Sequence, residues 1–367
     1  MRIFYDGYIF SAQRNGGISR YFANLIRHLP IEYTPDVLLG REVNGVEIRH
    51  AKLRLRRDPF HAVKPRRVGD VFSSSFNRLH DARGKYDVFH PTYHFRLPEQ
   101  VVRRGRRPAV VTVFDMIPEL YAESLDPDGR EAAAKKLMIE AADAILCISE
   151  STKADLQARH RVPDDRITVT HLASDLSQDI AFGEESVPER PYVLFMGNRA
   201  VYKNFARTLL ALSRVVQSWP DLKLALVGDA MQGKETELVR ALELQSNVVH
   251  VGYVPDAHLA KLYRCSAALV YPSLYEGFGI PPLEAMACGT VVISSDRSSL
   301  PEVIGDAAIR VNPESINEMA EAMLSLRDLS DLRRNQLIAR GFDQVKLFSW
   351  DETARQTVKV YQSVAVS

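Results

Sequence analysis

Between Tyr192 and Val311 the chain repeats one pattern: a run of a few apolar residues, then a stretch with helical spacing. The runs are Tyr192–Met196, Lys223–Val227, Val248–Val251, Ala268–Tyr271, Val291–Ser294 and Ile309–Val311, and the helical stretches include Phe205–Val216 and Asp256–Tyr263. Such runs carry no polar alternation, so both faces of each strand must be covered, as in a parallel sheet with crossover helices packed on either side. That requirement excludes a half-solvated antiparallel sandwich and a pure helical bundle.

The chain opens in the same way. A strand at Ile3–Tyr5 leads into a loop containing Gly7, Ser11, Asn15, Gly16 and Gly17, and then into a helix with Ile18, Tyr21, Phe22, Leu25, Ile26 and Leu29 on one face. Strand, glycine loop and helix form the first unit of a doubly wound α/β domain. Further two-sided runs stand at Val88–Phe89, Val110–Phe114 and Ala144–Ile148. The polar segment Phe182–Pro191, with two prolines, reads as a linker. The expected organisation is a first α/β domain over residues 1–181, a linker over 182–191, a second domain over 192–348, and a C-terminal segment over 349–367. That last segment holds an amphipathic helix at Trp350–Val364, with Ala354, Val358 and Tyr361 on one side. A length of 367 residues suits two domains at roughly 150 residues each.

Composition narrows the function classes. Lys and Arg number 47 against 46 Asp and Glu, which argues against a surface devoted to nucleic acid. The balance is uneven along the chain: from Arg49 to Arg107 there are 16 Lys or Arg and five acids. Such a block suits a solvated face, anionic lipid headgroups or a phosphorylated acceptor. Cys147, Cys265 and Cys288 form no C-x-x-C pair, so neither a zinc site nor a disulfide framework is expected and a reducing cytoplasm fits. No apolar run reaches the 18 or so residues of a membrane span, and Asp6 and Gly7 interrupt the N-terminal apolar residues.

Four segments carry candidate chemistry. The first is Ser273–Thr290, in which seven residues separate Glu276 from Glu284 and the loop Gly277-Phe278-Gly279-Ile280 follows a strand end. Loops at the carboxyl ends of parallel strands are where α/β folds bind ligands. Gly277 and Gly279 let backbone N–H groups approach an anion or sugar hydroxyls, a helix beginning near Leu283 offers a positive N-terminus, and each carboxylate can accept from two hydroxyls. The second is Gly197–Asn204, where Arg199 and Lys203 are expected to converge on the same crevice and neutralise a diphosphate. The third is Asn15-Gly16-Gly17-Ile18, which lacks the full G-x-G-x-x-G spacing and so points to bare amides for phosphate and away from a nicotinamide dinucleotide. The fourth, Asp126-Pro127-Asp128, matches a bare D-x-D but lies in a Pro-Gly loop away from any strand end, so no metal is assigned to it.

Taken together, the two α/β halves, the Gly-Gly loop, the Arg/Lys pair and the Glu-x7-Glu segment resemble the retaining GT-B glycosyltransferases of glycosyltransferase family four. Ser298–Val303 resembles a turn of that family, and Cys147-Ile148-Ser149 its serine-ended strand. The resemblance implies two Rossmann-like doubly wound domains facing across a cleft, with the final helix returning to the first domain. It also implies that Arg199 and Lys203 hold a donor's diphosphate, Glu284 the ribose hydroxyls, and Glu276 with the amides of Gly277–Ile280 the transferred sugar. Gly16 and Gly17 join the donor-binding group. Many relatives carry His-Asp where this chain has Phe114-Asp115, which leaves Asp115, or His94 on the acceptor side, as first-domain candidates.

The function expected from the resemblance is metal-independent hexosyl transfer with retention. No cofactor is expected, because the nucleotide sugar is a substrate. GDP-mannose is the first choice of donor and a lipid-linked or oligosaccharide acceptor the first choice of partner, in bacterial surface polysaccharide synthesis at the cytoplasmic face of the plasma membrane. Two rivals are a nucleotide-sugar epimerase of the same fold and a non-catalytic scaffold binding phospholipid or nucleic acid.

Overall fold

The computed structural model describes residues 1–13, 16–40, 46–59, 86–94, 107–180 and 183–366. Asn15 of the glycine loop, Phe182 of the expected linker, and Lys64, Arg66, Arg67, Arg78, Arg83, Lys85, Arg96, Arg103, Arg104 and Arg106 of the basic block lie outside them. The chain divides into two compact units, Met1–Leu172 with Ser349–Ser367, and Ala173–Phe348.

In the first unit, β1 (Arg2–Tyr5), β2 (Thr34–Leu39), β3 (Arg54–Arg57) and β4 (Val88–Phe89) form a parallel sheet in the order β3-β2-β1-β4. A second parallel sheet runs β5-β6-β7, from Val110–Val113, Ala144–Cys147 and Ile167–Val169, and a parallel bridge between Phe89 and Ala109 joins the two. The helix Gly17–Arg27 lies on this sheet because Tyr21, Phe22, Leu25 and Ile26 share one face and are wholly buried. The helix Glu150–His160 starts where Ser149 accepts the Thr152 N–H at 3.0 Å, satisfying one of the free donors of a first turn. The last helix, Trp350–Val366, packs on the helix Gly17–Arg27 and on β4 and β6, which places it in the first unit.

The second unit is a parallel sheet of β8 (Tyr192–Met196), β9 (Lys223–Val227), β10 (Val248–His250), β11 (Ala268–Tyr271), β12 (Val292–Ser295) and β13 (Ile309–Val311), in the order β10-β9-β8-β11-β12-β13. The order reverses between β8 and β11, so their carboxyl ends flank a topological switch point, the usual ligand crevice of such a sheet. Val193, Leu209, Leu212, Leu224, Val270 and Ile293 are all fully buried in its core, and burial of one such side chain contributes about 1.5–3 kcal/mol. Contacts assign the expected linker to this unit. Lys261 donates to the carbonyls of Gly183 (2.9 Å) and Glu185 (2.6 Å), and Arg264 to those of Ile180 (3.0 Å) and Ser177 (2.8 Å), so the segment is strapped to the helix Asp256–Cys265. Among the described residues no helix is long and apolar enough to cross a membrane.

Candidate active site

The switch point of the second unit is assembled by its backbone. Leaving β8, the chain passes Gly197 and a 3-10 turn at Val201–Lys203 before the helix Phe205–Val215 begins. Leaving β11, it runs through Pro272 to Glu276 and on to the helix Ile280–Ala287. Two bonds tie these exits together: Leu274 N–H donates to the Tyr202 carbonyl at 2.7 Å, and the buried Asn204 amide donates to Pro272 O at 3.0 Å. Asn204 adopts a left-handed conformation, φ 64°, which Asn tolerates better than other side chains with a Cβ.

This tie brings Lys203 and Glu276 together. Lys203 Nζ donates to Glu276 Oε1 at 2.7 Å and to the Tyr271 hydroxyl at 2.8 Å, and its ammonium lies 5.0 Å from the centre of the Tyr271 ring. Burial and the Glu276 carboxylate push the Tyr271 hydroxyl well above its ordinary pKa, so it remains protonated. Arg199 has partners of its own. Its Nε donates to Glu235 Oε1 and its Nη2 to the Ala230 carbonyl, both at 2.8 Å, so Arg199 and Lys203 stand in two separate ion pairs. The reason is local: Glu235 lies in the first turn of the helix Lys234–Ala241, just beyond β9, within reach of Arg199.

Glu284 is buried on the helix Ile280–Ala287 and accepts from the Tyr263 hydroxyl at 3.2 Å. That helix begins at Ile280, ahead of the expected Leu283, because Pro281 and Pro282 occupy its first turn, where proline's missing N–H is tolerated. Those two prolines carry no N–H of their own at this end. Gly279 has φ 130°, and a Cβ there would meet the Leu300 side chain at 2.8 Å, so only glycine fits. Phe278 contributes backbone, since its ring packs edge-on against Phe348. Ser298 and Ser299 hold the loop: the Glu276 N–H donates to Ser298 Oγ at 2.8 Å, and the Ser299 hydroxyl lies 2.9 Å from the Glu276 carbonyl and 2.6 Å from that of Phe278.

In the first unit Gly16 caps the helix Gly17–Arg27 in an extended conformation, and Ser19 Oγ donates to its carbonyl at 3.0 Å. At the β1/β4 switch point, Asp6 Oδ1 accepts from the Thr92 N–H at 2.9 Å and from its hydroxyl at 2.5 Å. His94 Nε2 lies 3.2 Å from Glu131, which also accepts from the Tyr93 hydroxyl. Asp115 accepts from the Ile117 N–H at 2.9 Å, while Lys135 donates to its carbonyl at 3.0 Å and to Glu119 at 2.9 Å. Burial raises the Asp115 carboxyl above its ordinary pKa, an effect partly offset by Lys135. Phe114 stacks edge-on against Tyr21 with ring centres 5.2 Å apart. Asp126 takes up two N–H groups of the helix Arg130–Ala141, those of Glu131 (3.0 Å) and Ala132 (2.9 Å), a capping role. Burial pushes the thiols of Cys147 and Cys288 up to about 12, so neither is a thiolate nucleophile at neutral pH.

The residue-level reading missed Glu235, Tyr271, Tyr263, Asp6 and Glu131, because each acts through a partner far away in sequence. Ser298 and Ser299 carry a signal in the sequence, as members of the Ser298–Val303 turn.

Comparisons with known proteins agree with this layout. Residues 177–342 match the family described as glycosyl transferases group 1, and residues 15–178 match glycosyltransferase family 4. The chain is 32% identical to the O-antigen chain mannosyltransferase B of Escherichia coli over 94% of its own length and 96% of that protein's. It is 29% identical to the O-antigen chain mannosyltransferase RfbU of Salmonella typhimurium, over 65% of this chain and 67% of that one. Sucrose-phosphate synthase from Thermosynechococcus elongatus has the same fold, with a TM-score of 0.78 at 20% identity, covering 100% of this chain and 99% of that one. So does Anabaena HepE, solved with UDP and glucose, with a TM-score of 0.69 at 14% identity and 99% of each chain covered. The fold is therefore GT-B.

Proposed function

Because the chain belongs to the group 1 glycosyltransferases of glycosyltransferase family 4, we propose that it transfers mannose from GDP-mannose, with retention, to a lipid-linked or oligosaccharide acceptor in the synthesis of a bacterial surface polysaccharide. The reading is carried by the Lys203–Glu276 pair at the switch point of the second unit, where a cation and a carboxylate stand side by side. The choice of mannose follows from the full-length relative, a mannosyltransferase.

The proposed division of labour starts from the leaving group. Departure of a nucleoside diphosphate places negative charge on its phosphates, and fixed cations aimed there lower the barrier most. Arg199 and Lys203 serve in that role without a metal. Glu284 receives the ribose hydroxyls, while Glu276 and the Gly277–Ile280 amides hold the hexose. In the first unit, Gly16 and Gly17 are assigned to donor phosphate and His94 or Asp115 to the acceptor. The acceptor hydroxyl attacks from the face the phosphate leaves and passes its proton to a phosphate oxygen, so the anomeric configuration is kept and no enzymic nucleophile is needed. Work at the inner membrane surface belongs to the same proposal.

The test is turnover of purified protein with a panel of nucleotide sugars and a saccharide–lipid acceptor, in EDTA, with the product's anomeric configuration read by NMR. An α-mannosyl product from GDP-mannose is expected. Release of an altered free sugar would favour the epimerase, and vesicle binding with no turnover on any donor would favour the scaffold.

A further inference from the structure

Each candidate phosphate-binding cation already faces a carboxylate, and the two pairs are built differently. Arg199 is fixed: its side chain is 4% exposed, Glu235 takes Nε, the Ala230 carbonyl takes Nη2, and the Phe205 ring lies under the guanidinium at 5.5 Å. Lys203 is a point charge on a flexible stem, held by Tyr271 and Glu276 in a pocket that leaves the two charged side chains only 12% and 10% exposed.

We propose that Glu276 is the resident counter-ion of Lys203, and that a nucleoside diphosphate sugar displaces it: the phosphate captures the ammonium while the released carboxylate turns to the sugar's hydroxyls. The inference rests on the proposed function, since it takes the donor to be of that class. Two acceptors on one tetrahedral ammonium, each about 2.8 Å from nitrogen, sit roughly 4.5 Å apart. A phosphate oxygen on the remaining N–H therefore meets the Glu276 carboxylate, a like charge, in a pocket where water screens poorly. Moving Glu276 onto neutral hydroxyls removes the clash and keeps the carboxylate hydrogen-bonded. Tyr271 keeps its contact with the ammonium throughout, and Arg199, tied by two acceptors, needs no rearrangement.

The exchange has a consequence for selectivity. A complete donor supplies both the phosphate that takes Lys203 and the hydroxyls that take Glu276. The nucleoside diphosphate product supplies only the first, so it must separate the pair without rehousing the carboxylate. The same residue thereby grips the donor sugar and loosens the leaving nucleotide after transfer.

The experiment is calorimetric titration of GDP into wild-type protein, Glu276→Gln, Lys203→Met and the double variant, with GDP-mannose turnover measured in parallel. Glutamine keeps the shape of Glu276 and removes the charge, so Glu276→Gln should bind GDP about tenfold more tightly than wild type while turnover falls. In the Lys203→Met background the same substitution should change GDP affinity by about twofold at most, because no ion pair is left to break. Glu276→Ser, smaller and equally neutral, should shift GDP affinity in the same direction as Glu276→Gln and guards against a defect peculiar to glutamine. Unchanged or weaker GDP binding by both neutral variants overturns the exchange, as does a gain of equal size with and without Lys203. Those outcomes leave the transferase reading standing, whereas failure of the wild-type protein to bind any nucleoside diphosphate overturns both.

Discussion

Arg199 donates from two different nitrogens along fixed directions, to the Glu235 carboxylate and the Ala230 carbonyl, whereas a lysine ammonium is a single point charge without that planar fork. Arg199→Lys should therefore behave almost as Arg199→Ala does, each lowering kcat about a hundredfold, the order expected for losing one donor to developing charge. Wild-type turnover in the lysine variant would remove Arg199 from the leaving-group site. Asp126 gives the opposite contrast. Its carboxylate is occupied by the N–H groups of Glu131 and Ala132, so Asp126→Ala should lower the thermal midpoint by about 2–4 °C, as loss of a helix cap does, and leave turnover measured in EDTA equal to that of wild type. Lost activity restored by Mn²⁺ would return the D-x-D to the chemistry. At this scale the sequence shows residue types and strand ends but not partners. Lys203 and Glu276 are legible as neighbours because both follow strands that flank the switch point. Glu235 is not, because its pairing with Arg199 spans 36 positions and follows only from the turn of the chain after β9.

The second unit's strands are legible to within a residue because their runs are mostly apolar, and three strands of the first unit are not, for identifiable reasons. β2 carries Pro35 and Asp36, and the Asp36 carboxylate is buried against Arg2 and Arg56, so its polar character is cancelled only by tertiary contact. β3 reads Arg-Leu-Arg-Arg and sits at the sheet edge, where charge discourages pairing with another chain and no apolar pattern is required. β7 is three residues long. The C-terminal helix shows its apolar stripe plainly, but not what fixes it. The Tyr361 hydroxyl lies 2.6 Å from His90 Nδ1 and 3.0 Å from the Tyr5 hydroxyl, while His90 Nε2 lies 2.9 Å from Thr112 Oγ1. Burial lowers the His90 pKa to about 3, from an ordinary 6.5, so the folded chain keeps it neutral while the unfolded chain protonates it between those values. Stability from this group is complete above pH 6.5 and declines as pH falls toward 3, with a slope of roughly 1.4 kcal/mol per pH unit for one proton. His90→Gln should be less stable than wild type at pH 8, and its stability should decline less steeply between pH 6 and 4, as read from urea midpoints across that range. Parallel slopes would show that His90 is not the group being protonated.

For the whole molecule the charge bookkeeping matters more than any single contact. The chain is nearly neutral, with 47 Lys or Arg and 46 Asp or Glu, yet 16 of those cations and only five acids lie between Arg49 and Arg107. Within the described part of this stretch, Arg54 and Arg57 are exposed on β3 at the edge of the first unit's sheet, alongside Leu55, which is 45% exposed. The proposed lipid-linked acceptor would lie in the membrane surface, and a basic stretch can hold the chain there by electrostatic attraction to acidic headgroups. Each basic residue near such a surface contributes about 1 kcal/mol, and the attraction fades beyond a Debye length of roughly 8 Å at physiological salt. The protein should therefore sediment with vesicles containing phosphatidylglycerol and not with pure phosphatidylcholine, and raising salt from 0.1 to 0.5 M should release most of it. Arg54→Glu combined with Arg57→Glu should weaken vesicle binding while turnover on a water-soluble acceptor analogue persists, since neither arginine belongs to the second unit's donor site. Equal binding to neutral and acidic vesicles, or binding that survives 0.5 M salt, would mean that apolar contact and not the basic stretch holds the chain to the membrane.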